Sequence, residues 1–221
     1  MEKIIKNALT RCPLFNDVSE QRLEQIVASA KHKLVKFDKK DIYILAGMPY
    51  RHVDIVVEGE MVARMVSLSG KSVEVSRLVV GDLVAPAFIF AKDNLMPVSV
   101  ETEKETTVMR MSKADFVELI DTDPVLRRNF IATLSNIDVF LTKKMRVLSL
   151  FTVREKIAYF LKEASGKQGS NVVQLDKSRQ EIAESFGIQK FSLLRTMSEL
   201  AEAGAIRVEG KRITILDRNK L

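Results

Sequence analysis

The stretch from Ser178 to Ala203 constrains this chain more than any other. Ser178 is a natural helix N-cap and Glu181 follows three residues later, so Ser178-Arg179-Gln180-Glu181 spells a capping box. The helix it opens is expected to bury Ile182, Ala183 and Phe186. Gly187 comes where that helix must stop and the chain must turn, in a left-handed conformation that favours glycine. Ile188 is expected to fill the corner. A second helix starts near Gln189 and is expected to bury Leu193, Leu194, Met197 and Leu200. A small Ala183, Gly187 four residues on and Leu193 six beyond that let two helices cross closely at a steep angle. This is the helix-turn-helix pattern, whose second helix enters the DNA major groove. The same pattern fits an ordinary helical corner in a core, so the flanking segments decide between the two.

Both flanks favour DNA. Ala205-Ile206-Arg207-Val208, Glu209-Gly210-Lys211-Arg212 and Ile213-Thr214-Ile215-Leu216 read as a β-hairpin with a basic tip. Asn171 to Leu175 reads as a short strand able to pair with it. A helix, a strand, two helices and a hairpin together make a winged helix-turn-helix. From Leu150 onward there are 13 Lys/Arg against 9 Asp/Glu, so this part carries +4 of the total +6. That balance suits a polyanionic partner.

Composition excludes several other classes. The chain has 221 residues, 46% of them hydrophobic, enough for one large or two modest cores. No apolar run approaches membrane-spanning length, and Met1-Glu2-Lys3 does not open a signal peptide, so a cytoplasmic location is expected. The single cysteine, Cys12, rules out an internal disulfide and a cluster held by four cysteines of one chain. His32 and His52 are the only histidines and lie 20 residues apart, which counts against a cupin-type metalloenzyme. No G-x-S-x-G, Walker or His-Glu-x-x-His pattern is present, and no enzymatic activity is expected.

Met1 to about Leu34 reads as helical with a break at Cys12-Pro13, and Ser19 caps a helix carrying Leu23, Ile26 and Val27. From Val35 to Met111 short β-type runs recur between turn residues: Ile42–Leu45, Val53–Val57, Met61–Val66 and Val73–Val80, with turns at Gly47, Gly59, Ser69-Gly70 and Gly81. Such spacing argues for a sandwich or barrel. Helical periodicity returns at Asp115–Ile120 and in a long helix opened by Asp123-Pro124, where proline costs no hydrogen bond. Phe130, Leu134, Ile137 and Leu141 step by four, three and four along it, and Leu148 resumes the seam after Lys144 interrupts it. The seam either packs on its own chain or forms a dimer interface, and the dimer is preferred. Thr152–Ala164 reads as a further helix and Ser165–Ser170 as a solvated turn. The expected fold is α+β in three parts: a β-roll with N-terminal helices (1–122), a long dimerisation helix (123–149) and a winged helix-turn-helix (150–221).

This order of parts resembles the CRP/FNR family of bacterial transcription regulators over nearly the whole chain. Cys12-Pro13-Leu14-Phe15 with Val18-Ser19 and Leu23 is similar to the family's entry motif. Ile55–Asp82, with Gly59, Gly70-Lys71 and Gly81-Asp82, is similar to its β-roll, and Ser178–Gly187 and Gly210-Lys211 to its helix-turn-helix and wing. The resemblance implies an effector-binding roll shaped like a cyclic-nucleotide-binding domain, a dimerising helix and paired DNA-binding domains on a pseudo-palindromic operator. RNA polymerase is a candidate further partner. The phosphate cassette of the cyclic-nucleotide binders is replaced by Ala85-Pro86-Ala87 and Met96-Pro97-Val98. Met96 stands where an arginine would hold the phosphate, Pro97 removes a hydroxyl and an N–H, and Pro86 takes the acidic position that would hold the ribose. No cyclic nucleotide and no iron–sulfur cluster is expected. What remains is an apolar cassette, with Ala85, Pro86, Phe88, Met96 and Pro97 as the candidate effector pocket. The Ala-Pro-Ala stretch, the Asn94-x-Met-Pro turn and Phe140-Leu141-x-Lys143-Lys144 resemble the HcpR-type regulators associated with nitrosative stress, which implies a haem-based nitric oxide sensor. Candidate axial ligands are His52, Met65 and Met145, each of which also reads as ordinary surface or core filling.

At the start of the second helix of the motif, Gln189, Lys190, Phe191 and Arg195 are the candidate base contacts. Arginine and lysine suit guanine O6 and N7, glutamine suits adenine, and phenylalanine suits the thymine methyl. Ser178, Arg179, Ser192, Lys211 and Arg212 are the candidate phosphate contacts, which carry affinity without sequence information. Two other functions fit the residues less well: a DNA-binding regulator that needs no effector, and a ligand-binding module without DNA activity.

Overall fold

The computed structural model describes residues 2–67 and 72–221. The Ser69-Gly70 turn and the Gly70-Lys71 pair fall outside them. The chain forms two compact units, one of residues 1–66 and 75–140 and one of residues 67–74 and 141–221.

The first unit opens with α1 (Glu2–Leu9), a 3-10 turn at Pro13–Phe15 and α2 (Glu20–Ser29), whose N-cap Ser19 accepts from the Arg22 N–H at 3.3 Å. The helical reading up to Leu34 runs too far, because His32–Phe37 is already a strand, β1. Half-buried residues at His32, Leu34, Val35 and Phe37 depart from strict alternation and mimic a helical stripe over so short a run. Then come β2 (Ile42–Ile44), β3 (His52–Glu58), β4 (Met61–Val66), β5 (Ser72–Leu78), β6 (Ser99–Thr102) and β7 (Thr106–Ser112). They make two antiparallel sheets, β1-β7-β3 and β2-β6-β4-β5. Three of these strands, β1, β6 and β7, are not individually legible in the sequence, yet β7 is the centre of its sheet and pairs with both β1 and β3.

Every residue from Val53 to Val57 is buried, so β3 has both faces covered. That burial includes Asp54, whose carboxylate takes the Arg110 guanidinium at 2.6 Å and the Tyr43 hydroxyl at 2.5 Å. A buried charge persists only when paired in this way. Gly59 turns β3 into β4 with φ +89°, and a Cβ there would lie 2.2 Å from the Glu105 carbonyl oxygen.

After β7 come α3 (Lys113–Thr122), capped by Ser112, and α4 (Pro124–Leu150). Asp123 accepts from the Val125 and Leu126 N–H groups at 3.0 and 3.3 Å and so caps α4. Phe130 is buried at 4% exposure, edge-on to Phe116 at 5.2 Å and to Phe90 at 5.6 Å. The assignment of Phe130 to a dimer seam is therefore corrected: its ring belongs to the core of its own unit. Leu134 packs against the same core, Ile137 is half-buried, Leu141 is 43% exposed and Leu148 is half-buried.

The second unit holds the end of α4, α5 (Val153–Gln168), β8 (Val172–Gln174), α6 (Arg179–Ser185), α7 (Lys190–Glu202), β9 (Ile206–Glu209) and β10 (Arg212–Ile215). Its sheet runs β8-β10-β9. A capping box between Thr152 and Glu155 starts α5, which continues through the stretch read as a turn and stops only at Gly169, φ +61°. The single Gly166 does not break it, since an interior glycine costs a helix only ~1 kcal/mol. Ile157, Leu161, Val173, Ile182, Leu193, Leu200 and Ile213 form this unit's core. No helix among the described residues is long and apolar enough to cross a membrane.

Candidate nucleic-acid interface

The corner between α6 and α7 is built from its ends inward. Ser178 caps α6, accepting from the Glu181 N–H at 3.2 Å while its own N–H donates to the Glu181 carboxylate at 2.8 Å. Ala183 is fully buried, and its carbonyl takes the Ile188 N–H at 3.0 Å across Gly187. Gly187 has φ +61°, the left-handed value that this helix-ending motif requires. α7 then buries Leu193, Thr196, Met197 and Leu200. Leu194 does not join them: at 42% exposure it faces outward, which corrects the expectation that it packs inside. It sits one helical step round from Leu193, and the core accepts only one of the two.

The outward face of α7 gathers the predicted base contacts. Gln189 and Lys190 are exposed at its start and Phe191 is 72% exposed. The Arg195 side chain is 70% exposed and meets Glu199 at 3.0 Å, one turn on. An exposed pair of this kind contributes only tenths of a kcal/mol, roughly 0.3–0.5, so Arg195 can exchange Glu199 for a base edge. Ser192 is half-buried.

The wing is a two-residue hairpin. Glu209 pairs with Arg212, leaving Gly210 (φ +58°) and Lys211 at the tip. The Lys211 carbonyl takes the Leu175 N–H at 2.9 Å, so the strand before α6 anchors the wing. Lys211 and Arg212 are exposed. Arg179 is not: it is half-buried and its Nη2 donates to the Gly210 carbonyl at 2.8 Å. Through Nη2 its guanidinium braces the wing turn, a positioning role beside the phosphate contact expected of it. Sequence reasoning also misses Lys177, whose ammonium pairs at 2.8 Å with the carboxylate of Glu74, in the 67–74 segment that belongs to this unit although the rest of β5 belongs to the first. Glu74 is 5% exposed, and its carbonyl oxygen accepts from Lys144. Burial lowers the pKa of Lys144.

In the first unit, the apolar cassette is tied to β3. The Val84 N–H donates to the Asp54 carbonyl at 2.9 Å, and the Tyr50 hydroxyl donates to the Val84 carbonyl at the same distance. Ala85 follows with φ +46°, a left-handed conformation uncommon for a residue with a Cβ and one that marks stored strain. Pro86 and Met96 are buried, Ala85 and Phe88 are half-buried against the core, and Pro97 is exposed. The cassette presents no cation at the position of Met96 to meet a phosphate.

The three candidate haem ligands are all solvent-exposed. His52 begins β3 at the surface, Met65 is 46% exposed on β4, which lies in the other sheet, and Met145 is 62% exposed on α4. Partial burial, and after it the nearby Arg110 charge, lowers the His52 pKa. None of the three is enclosed by apolar side chains as a haem face requires, so these residues do not fit the group. No group of three or more His, Cys, Asp or Glu able to hold a metal occurs among the described residues.

Two family models match the chain. Residues 34–123 match the cyclic nucleotide-binding domain and residues 155–221 the Crp-like helix-turn-helix domain. A probable transcriptional regulator, flp, of Lacticaseibacillus casei is 22% identical over 207 residues, covering 93% of this chain and 92% of that protein. Among solved structures, CLP of Xanthomonas campestris, described as a c-di-GMP-responsive global regulator, superimposes with a TM-score of 0.71 at 18% identity over 89% of this chain and 99% of that one. CooA of Carboxydothermus hydrogenoformans, solved as a mutant, gives 0.70 at 18% identity over 86% of this chain and 85% of that one. With a capped helix-turn-helix and basic wing at one end and a β-roll with its cassette at the other, the chain belongs to the CRP/FNR family of DNA-binding transcription regulators.

Proposed function

We propose that this regulator acts as a homodimer whose operator affinity is set by an apolar effector bound against the cassette of residues 83–98, and that the effector is not a cyclic nucleotide. One observation carries the reading. Phe90, at the end of the cassette's first half, meets Phe130 of α4 edge-on, and Phe130 meets Phe116. A ligand that shifts the cassette moves a ring packed directly against the long helix. Packed aromatic clusters shift between discrete arrangements rather than deforming smoothly, as a two-state switch requires. Supporting the dimer, α4 leaves Ile131, Leu141 and Met145 exposed at 58%, 43% and 62%, on one stripe at helical spacing. Exposed apolar stripes of this kind mark interaction surfaces. Haem with nitric oxide is the effector implied by the HcpR-type resemblance; the exposed candidate ligands count against an enclosed haem.

The test is a titration of the purified protein with haem, read by Soret absorption with and without nitric oxide. It is run beside operator binding with cyclic AMP, cyclic GMP and small apolar ligands. A ligand that changes operator affinity in the wild type but not in Phe90→Ala supports the reading. Operator affinity that no ligand changes favours the second reading, a DNA-binding regulator without an effector. Micromolar binding of either cyclic nucleotide overturns the exclusion drawn from Met96 and Pro97.

A further inference from the structure

The outward face of α7 carries more apolar surface than a hydrogen-bonding interface needs. Its core side is occupied by Leu193, Thr196, Met197 and Leu200, while Phe191 and Leu194 stand 72% and 42% exposed. At about 100° per residue, Phe191 lies mid-face, with Leu194 roughly 60° to one side and Arg195 roughly 40° to the other. Lys190 borders Leu194. Two apolar side chains are thus flanked by two cations on one helix face, in the part of the chain that carries the excess of positive charge.

That flanking identifies the occupant. A protein partner with a dry apolar surface would leave Lys190 and Arg195 desolvated and unpaired. The DNA major groove offers both kinds of contact: acceptors on guanine for the cations and one apolar group, the thymine 5-methyl, for the hydrophobes. Against any other base edge, Phe191 and Leu194 would cover donors and acceptors they cannot bond, so they also select against those bases. The spacing fits as well. Three residues of helix rise about 4.5 Å, comparable with the roughly 3.4 Å between successive base pairs.

We infer that Phe191 and Leu194 form a thymine-methyl reader, and that the half-site of this regulator carries thymines within one or two base pairs of the guanine contacted by Arg195. The sequence alone points Phe191 at a thymine; Leu194, expected in the core, becomes the second reader because the fold turns it outward. The inference rests on α7 being the recognition helix.

The experiment uses the full-length protein. A bound half-site is first obtained by selection from random duplexes. Each thymine is then replaced by uracil, which removes only the methyl group, and affinity is measured at fixed salt. The expected result is a loss of about fourfold at each contacted thymine, the effect of one buried methyl-sized group. The same replacement should cost Phe191→Ala or Leu194→Ala nothing at the position each reads. Both side chains are exposed, and the uracil series in the wild type does not depend on any variant folding. If a defined half-site emerges and every uracil duplex binds as tightly as its thymine parent, the methyl reader is overturned while the recognition helix stands. A half-site with no thymine near its guanine has the same consequence. If no sequence is enriched, either without ligand or with the haem and apolar ligands of the titration above, α7 is not the recognition helix, and this inference fails with it.

Discussion

The Arg179 guanidinium donates to the carbonyl oxygen of Gly210 at 2.8 Å, so the first residue of α6 holds the tip of the wing. A residue at the mouth of a helix-turn-helix reads most simply as a phosphate contact, and Arg179 also braces the turn that presents Lys211 and Arg212. Arg179→Ala should weaken operator binding by about 0.5–1.5 kcal/mol, the net effect of one hydrogen bond. The slope of log affinity against log salt should hardly change. Lys211→Ala should instead flatten that slope by about 0.9, the signature of one lost phosphate contact. Parallel salt titrations of the two variants separate the roles.

Lys177 stands immediately before the N-cap of α6, and its charge is neutralised by Glu74 at 2.8 Å. Glu74→Gln keeps the shape and removes the counter-charge. The freed ammonium should steepen the salt slope by up to about 0.9 and tighten binding at low salt. Lys177→Met in the same background should cancel the gain. An unchanged slope in Glu74→Gln would show that Lys177 stays away from the phosphates.

Phe130 and Leu141 occupy steps of one seam and have different jobs. Phe130→Ala should destabilise the first unit by about 3–5 kcal/mol, the usual result of removing a buried aromatic ring, seen as a lowered midpoint in denaturant. Leu141→Glu should leave the fold intact and shift sedimentation from dimer to monomer. A Leu141→Glu protein that stays dimeric would move the proposed interface off this stripe.

Cys12 has no exposure, and burial pushes its thiol up to about 12. The unfolded thiol ionises near ~8.5, so the fold holds its proton more tightly than the unfolded chain does. The stability this confers is fully present below pH ~8.5 and is lost as the pH rises toward 12, by about 1.4 kcal/mol per unit. Relative to Cys12→Ala, the wild type should therefore lose roughly 2 kcal/mol between about pH 7 and pH 10 by denaturant unfolding. Thiol reagents should label Cys12 slowly until the protein unfolds.

The second unit is almost wholly legible in sequence, because its signals are local. A capping box, a left-handed glycine and a glycine-tipped hairpin each place their elements within a few residues. Ser178, Gly187 and Gly210 all take the conformations those signals require. The β-roll is legible in kind but not in detail. Its bounding turns announce β3 and β4, whereas β6 and β7 begin after Val98 and Glu105, where no glycine marks the boundary. Their partners lie far away in sequence, β7 with β1 and β3, and β6 with β2 and β4.

By itself, then, the sequence determined the order of parts and the helix-turn-helix with its wing. Each depends on residue type at short spacing. Only the tertiary structure decided which equivalent-looking side chains go inside. Phe130 and Leu141 share one apolar pattern, as do Leu193 and Leu194, yet one of each pair is buried and the other exposed. It also set the Arg179 guanidinium against the wing turn. Periodicity places side chains on a face of a helix; what that face meets depends on chain segments tens of residues away, which local spacing cannot encode.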